Sequence, residues 1–245
     1  MHPASVGFHC SQCVARSGQR VLRPRDLEPG RQVTVALLAL NAVVFLLQLA
    51  TGGGLVRTGS GITFDGVLFG PLVAEGEVWR LATSGFLHAN LPHILFNSWA
   101  LWIFGPLVER TFGRWRMLGI YLSGMLGGAF LVVMFDWAVP TLGASAAVLG
   151  LGGALVAAMA ARGVSLRSNN LVGILLINLL LPLLVPGISF WGHLGGMAGG
   201  FAAGYLVAHL ARTRRREQTA YVALAALVVV LAVAGVVGAN SGGVL

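Results

Sequence analysis

Long apolar blocks separated by short polar segments dominate the chain, and the lengths of those blocks are its first signal. Apolar runs lie at about 33–50, 83–106, 116–135, 143–161, 171–186, 189–210 and 220–238, after a polar head at 1–31. Crossing a hydrocarbon core of about 30 Å takes roughly 17–25 helical residues, so the pattern predicts seven membrane spans. The fifth carries Pro182 and Pro186 and is the shortest and least regular. The apolar stretch 182–192 predicts a tight turn joining spans five and six.

Composition agrees with that reading. Charged residues are 10% of the 245 and hydrophobic ones 56%, with a mean hydropathy of +0.82; a soluble domain carries about 25% charged residues. The expected fold class is all-α, a polytopic membrane helix bundle. Its expected organisation is a cytoplasmic N-terminal segment at 1–31, a six-span core at 32–211, and a basic cytoplasmic loop with a seventh span at 212–245.

Charge orients the bundle. The net charge is +8, and all 16 basic residues are arginines. With the N-terminus in the cytoplasm, 14 of the 16 arginines fall inside and only Arg57 and Arg80 outside. The positive-inside bias selects this arrangement over its inverse, giving a multi-pass protein of the cell membrane with an external C-terminus. The basic pI does not imply a nucleic-acid partner, because the arginines sit in loops between apolar blocks and not on a basic face interleaved with aromatics. The lipid bilayer is the expected partner.

Polar side chains that interrupt apolar spans are costly and therefore candidates for function. His88, His93 and Asn97 stand near the start of span two, Ser145 near the start of span four and His193 near the start of span six. Those three spans run in the same direction, so their starts share a depth near the external face. A serine hydroxyl needs an adjacent base to become a nucleophile, and histidine is the usual one. The tetrahedral intermediate of acyl transfer then needs donors aimed at its oxyanion. Asn97, His93 and the backbone N–H of Ser145 could supply them; His93 and Asn97, four apart, share a helix face. Gly192, Gly196, Gly200 and Gly204 form a stripe on span six that would admit span four closely.

Each feature alone has a plainer explanation. A Gly-x-Ser tripeptide in a chain with 35 glycines ordinarily means helix packing. His193 alone reads as a structural histidine, Asn97 as interhelical glue, and His88 as a cap at the start of the helix. Tyr121, Trp99, Trp102 and Trp191 read as packing or interfacial anchors. The coincidence of depth, chemistry and small-residue packing is what shifts the balance towards a site.

At these positions the sequence resembles the rhomboid family of intramembrane serine proteases, over about residues 33 to 210. Glu77 to Arg80 resemble the family's Trp-Arg motif, placing Trp79 and Arg80 in the long first external loop. His88, His93 and Asn97 match its span-two pattern, Gly143 to Ser145 its nucleophile motif, and Gly192 to Gly196 the strand of residues around its base. The resemblance implies a Ser145–His193 dyad without an acid, with His93, Asn97 and Ser145 at the oxyanion, and His88, Gly143, Trp79, Arg80 and Gly196 in support. It implies cleavage of single-span membrane proteins near the outer ends of their spans, through an acyl-enzyme, with no cofactor. The seventh span resembles the extra C-terminal helix of some members. Two positions depart from the pattern: Ala146 stands where glycine usually follows the serine, and Leu149 where an aromatic usually stacks on the base.

The head has a likeness of its own. Residues 4–13 resemble the tail end of a small zinc-binding module found ahead of some bacterial members. A closed zinc site needs four ligands, and the head offers Cys10, Cys13 and at most His2 or His9. The expectation is a remnant that holds no metal, the chain beginning inside the module. Among rival functions, a metalloprotease would need a pattern such as HExxH, and a transporter internal repeats with paired broken helices; neither is present. An inactive relative that binds client helices is the reading that survives beside the protease.

Overall fold

A computed structural model describes residues 2–3, 8–9, 31–56, 59, 61–166, 170–211 and 214–243. Cys10 and Cys13 lie outside the described residues. At the head, β1 (His2–Pro3) pairs antiparallel with β2 (Phe8–His9); the rest is helical. In chain order come α1 (Gln32–Ala50), the short α2 (Ile62–Gly66), α3 (Gly70–Ala74) and α4 (Arg80–Thr83), then α5 (Leu91–Phe112), α6 (Arg114–Phe135), α7 (Ser145–Ala161), α8 (Asn170–Leu180), α9 (Phe190–Leu210) and α10 (Arg214–Asn240). The fold is thus an all-α bundle of the expected class.

Seven helices lie where the seven spans were expected, with shifted ends: α5 closes at Phe112 and not 106, α8 at Leu180 and not 186, and α10 opens at Arg214 and not 220. The second span begins at Leu91, not 83. The Asn90 side chain accepts the His93 N–H at 2.9 Å, and Pro92 occupies the first turn, where its missing N–H is harmless. Asn90, and not His88, is therefore the cap. The apolar residues before it fold into α4 and a 3-10 turn at Ser84–Phe86, which hydropathy alone does not distinguish from a span. Pro106 sits inside α5, which continues to Phe112.

Four helices, α1, α5, α6 and α10, are long and apolar enough by themselves to cross a membrane. α7 has 17 residues, about 26 Å of helix against a hydrocarbon core of about 30 Å. α9 is 21 residues long, but six of them are glycine. Helix length and composition are those of a multi-pass membrane protein.

The centre of the bundle is the packing of α6, α7 and α9, and glycine makes it possible. A Cβ on Gly196 would strike the carbonyl of Ala146, one on Gly200 the carbonyl of Gly150, and one on Gly204 the backbone of Ala154. Gly192, the first glycine of the expected stripe, is different: a Cβ there would make ordinary contact at 3.4 Å with Ser189. A second glycine face, Gly195 and Gly199, lies against Gly127 and Ser123 of α6. Ala146 also finds its place here. Its methyl lies opposite Gly128 of α6, where a second Cβ would come within 2.5 Å, so the absence of a Cβ at Gly128 accommodates the methyl.

The start of α9 is fixed twice. Ser189 Oγ accepts the Gly192 N–H at 3.0 Å and donates to Asp136 Oδ2 at 2.8 Å, and Trp191 stacks on Phe135 with centroids 4.2 Å apart. Ser189→Ala removes the cap and its tie to α6; we expect a loss of about 1 kcal/mol, read as a lowered unfolding midpoint in detergent.

Arg80 organises the segment before α5. Its buried guanidinium donates to the carbonyls of Phe64 at 2.7 Å and Val67 at 2.9 Å and pairs with Glu77. Trp79 Nε1 donates to the Asp65 carbonyl at 3.2 Å. At the other end of the bundle, the Glu109 carboxylate accepts the N–H groups of Val33 and Thr34 at 3.2 and 3.1 Å and the Thr34 hydroxyl at 3.0 Å, capping α1 from α5.

Candidate active site

Ser145 is the first residue of α7, so no carbonyl of its own helix is available to its backbone N–H. Gly143, two residues earlier, has φ +133°, a conformation that a side chain would strain. Its N–H donates to the Ser84 carbonyl at 2.9 Å. These features turn the chain sharply into α7 and leave the serine hydroxyl at the helix start.

His193 lies in the first turn of α9 and is buried. Its Nε2 is 3.1 Å from Ser145 Oγ, and its Nδ1 is 3.0 Å from the carbonyl of Asn178 on α8. A carbonyl can only accept, so Nδ1 carries the proton and donates. Nε2 of the neutral ring is then an acceptor, and the Ser145 hydroxyl donates to it. The hydroxyl and the lone pair that could take its proton face each other, with the tautomer set by a third group, which is the arrangement an activated serine requires.

His93 has the complementary tautomer. The Ala89 N–H donates to its Nδ1 at 3.3 Å, which leaves the proton on Nε2. That edge of the ring lies over Gly143: a Cβ there would fall 2.8 Å from His93 Nε2 and 3.8 Å from Ser145 Oγ. An N–H donor, the serine hydroxyl and the backbone N–H of Ser145 thus border one small space. Gly143 is required twice, for its φ and for the room it leaves the ring.

Asn97, one turn further along α5, is 6% exposed, and its Nδ2 has no hydrogen-bond partner among the described residues. A buried amide N–H without a partner costs about 1–3 kcal/mol, a cost that a bound anionic oxygen would relieve. We expect Asn97→Ala to lower kcat about 100-fold or more, the scale of one oxyanion donor, while leaving stability unchanged or raised. Single-turnover cleavage and thermal unfolding of the same samples check both parts.

His88 is fully buried. Its backbone N–H donates to Gln48 Oε1 at 3.0 Å and its carbonyl accepts from Gln48 Nε2 at 3.1 Å, while Nδ1 donates to the Phe86 carbonyl at 3.2 Å. Its ring meets that of His93 edge-on, 5.2 Å between centroids, so it backs His93 and ties α1 to the turn before α5. Trp79 and Arg80 hold the preceding segment, and Gly196 brings α9 onto α7. Leu149 is buried in the central core, and His193 is held through Nδ1. Ser145, Gly143 and His93 are each half-buried, so the group is not sealed inside the bundle. A cavity of about 380 Å³ lies instead at the far ends of these helices, lined by Phe112, Arg116, Ala158, Arg162 and Val207.

Three contributors escape the sequence reading. The Asn178 carbonyl is a backbone group and has no letter of its own; Pro182, four residues on, is its only trace. Gly127 and Gly128 of α6 were hidden among many glycines.

Comparison with known proteins identifies the family. A family profile described as "Rhomboid domain" matches residues 75–210. The rhomboid protease GluP of Bacillus subtilis is 38% identical over 166 residues, 66% of this chain and 32% of GluP. The rhomboid protein YdcA of the same organism is 33% identical over 170 residues, 67% of this chain and 82% of YdcA. A protein named as inactive, RHOMBOID-like protein 8 of Arabidopsis thaliana, is 38% identical over 96 residues, 39% of this chain and 27% of that protein. The chain spans about a third of the length of GluP.

Proposed function

Since the chain belongs to the rhomboid family, we propose that it is an active serine endopeptidase of the bilayer, cutting single-span membrane proteins near the outer ends of their spans. The observation that carries this reading is the 3.1 Å approach of Ser145 Oγ to a His193 Nε2 whose partner nitrogen is occupied. His193 takes the hydroxyl proton as Ser145 attacks the scissile carbonyl. The oxyanion forms against the Ser145 N–H, His93 Nε2–H and the Asn97 amide. Collapse of the intermediate expels the amine, protonated by His193, and leaves an acyl-serine. Water, deprotonated by the same ring, then releases the new carboxylate.

The distribution of arginine supports an orientation with the N-terminus in the cytoplasm of a bacterial-type cell membrane and the serine near the external face. Residues 32–211 form the protease core and 212–245 the appended span, with 1–31 ahead of them. Substrate reaches Ser145 sideways past α8. Of that helix only Leu175 is buried, against Gly152 of α7, and Ile174, Leu176, Ile177 and Leu180 are exposed. A substrate helix that unwinds at glycine or proline is preferred, because a peptide bond inside a helix is shielded from attack.

The test is purified protein in lipid vesicles, incubated with a panel of tagged single-span proteins, the cut sites mapped by mass spectrometry. Cleavage near the outer span ends is the expected result. A folded sample that neither cleaves the panel nor reacts with a fluorophosphonate would instead favour an inactive protein that holds client helices, the kind of relative that RHOMBOID-like protein 8 is named to be.

A further inference from the structure

The acceptor that fixes the His193 tautomer exists because of a proline on another helix. In a continuing α-helix the carbonyl of Asn178 would accept the N–H of residue 182. Residue 182 is proline and has no N–H. α8 accordingly ends at Leu180 and passes into a single 3-10 turn at Leu181–Leu183. The carbonyl so released is the one that lies 3.0 Å from His193 Nδ1. The Asn178 side chain takes no part, since its Nδ2 donates back to the Ile174 carbonyl of its own helix at 2.8 Å.

We propose that Pro182 is a positioning residue for the Ser145–His193 pair: by withholding an N–H from the Asn178 carbonyl, it keeps that carbonyl free to hold the base with Nε2 turned to the serine. The proposal rests on the reading of Ser145 and His193 as nucleophile and base. It makes the backbone of α8, a helix with little buried surface, part of the geometry of the base.

Replacing one amide by an ester isolates the effect. Pro182→Ala restores an N–H that competes for the carbonyl, whereas lactic acid at position 182, introduced by nonsense suppression, has the same side chain and no N–H. The alanine variant is expected to lose about fivefold in kcat with KM unchanged, the scale of one neutral hydrogen bond. The lactic-acid variant keeps the wild-type kcat. In nitrogen-15 spectra of histidine-labelled protein, the His193 signal moves towards the Nε2–H tautomer in the alanine variant alone.

Equal kcat in the alanine and lactic-acid variants overturns the proposal, whether both match wild type or both fall. If the alanine variant does not fold, the lactic-acid variant decides alone: full activity upholds the proposal and an inactive folded protein ends it. Failure of the underlying reading looks different, because wild type itself would then show neither cleavage nor fluorophosphonate labelling.

Discussion

Ser145→Ala is expected to abolish both cleavage and covalent labelling by a fluorophosphonate, while the protein keeps its unfolding midpoint. On the proposed reading serine and base act as one unit, and removing either in a soluble serine protease costs on the order of 10⁶ in kcat; among the described residues Ser145 carries the hydroxyl bonded to His193 Nε2. Stability is spared because Ser145 is half-buried at a helix start and its hydroxyl bonds only to His193 among the described residues. His193→Ala is expected to lose cleavage to the same extent, and the double variant to be no worse than either single one. Additive losses would show that the two side chains work separately. Gel-based labelling and quantitative cleavage of one substrate measure all of these.

The second large effect is structural. Gly200→Val places a branched side chain where even a Cβ overlaps the carbonyl of Gly150. Backbone faces backbone at this point, so neither side can give way by changing a rotamer. Overpacking typically costs about 1–3 kcal/mol and occasionally more, and here the upper end is expected. Whatever folds will hold α7 and α9 further apart, and Ser145 and His193 with them; a misplacement of about 1 Å costs roughly 100-fold in rate. Gly173→Ala is the control. It lies in α8 with nothing within 4 Å of its Cβ position, so alanine adds up to about 1 kcal/mol of helix preference and disturbs no contact. A Gly200→Val protein with wild-type stability and activity would show that α7 and α9 are not pressed together as described.

How much of this could be read from residues alone follows from what kind of group does each job. Ser145, His193, His93 and Asn97 are polar letters inside apolar blocks, so the hydrophobic pattern exposes them, and one shared depth groups them. Gly196, Gly200 and Gly204 repeat every four residues and announce a close helix neighbour, but not which one. Gly195 and Gly199 on the adjacent face carry the same letters, so the contact with α6 was illegible. Hydropathy starts the second span eight residues early, because Phe86 and Leu87 are apolar whether they face lipid or the interior of a folded turn. The Asn178 carbonyl could not be seen at all, since every residue has one; what makes it special is an N–H that is missing four positions later.

The carboxylate that closes the beginning of α1 belongs to a residue made 75 positions after it. While the chain is being synthesised, α1 must therefore enter the bilayer with its leading amides open to water and lipid headgroups. Only when α5 arrives can Glu109 gather Val33 and Thr34. The first helix to be inserted is then among the later ones to be locked, and the order of synthesis is not the order of assembly.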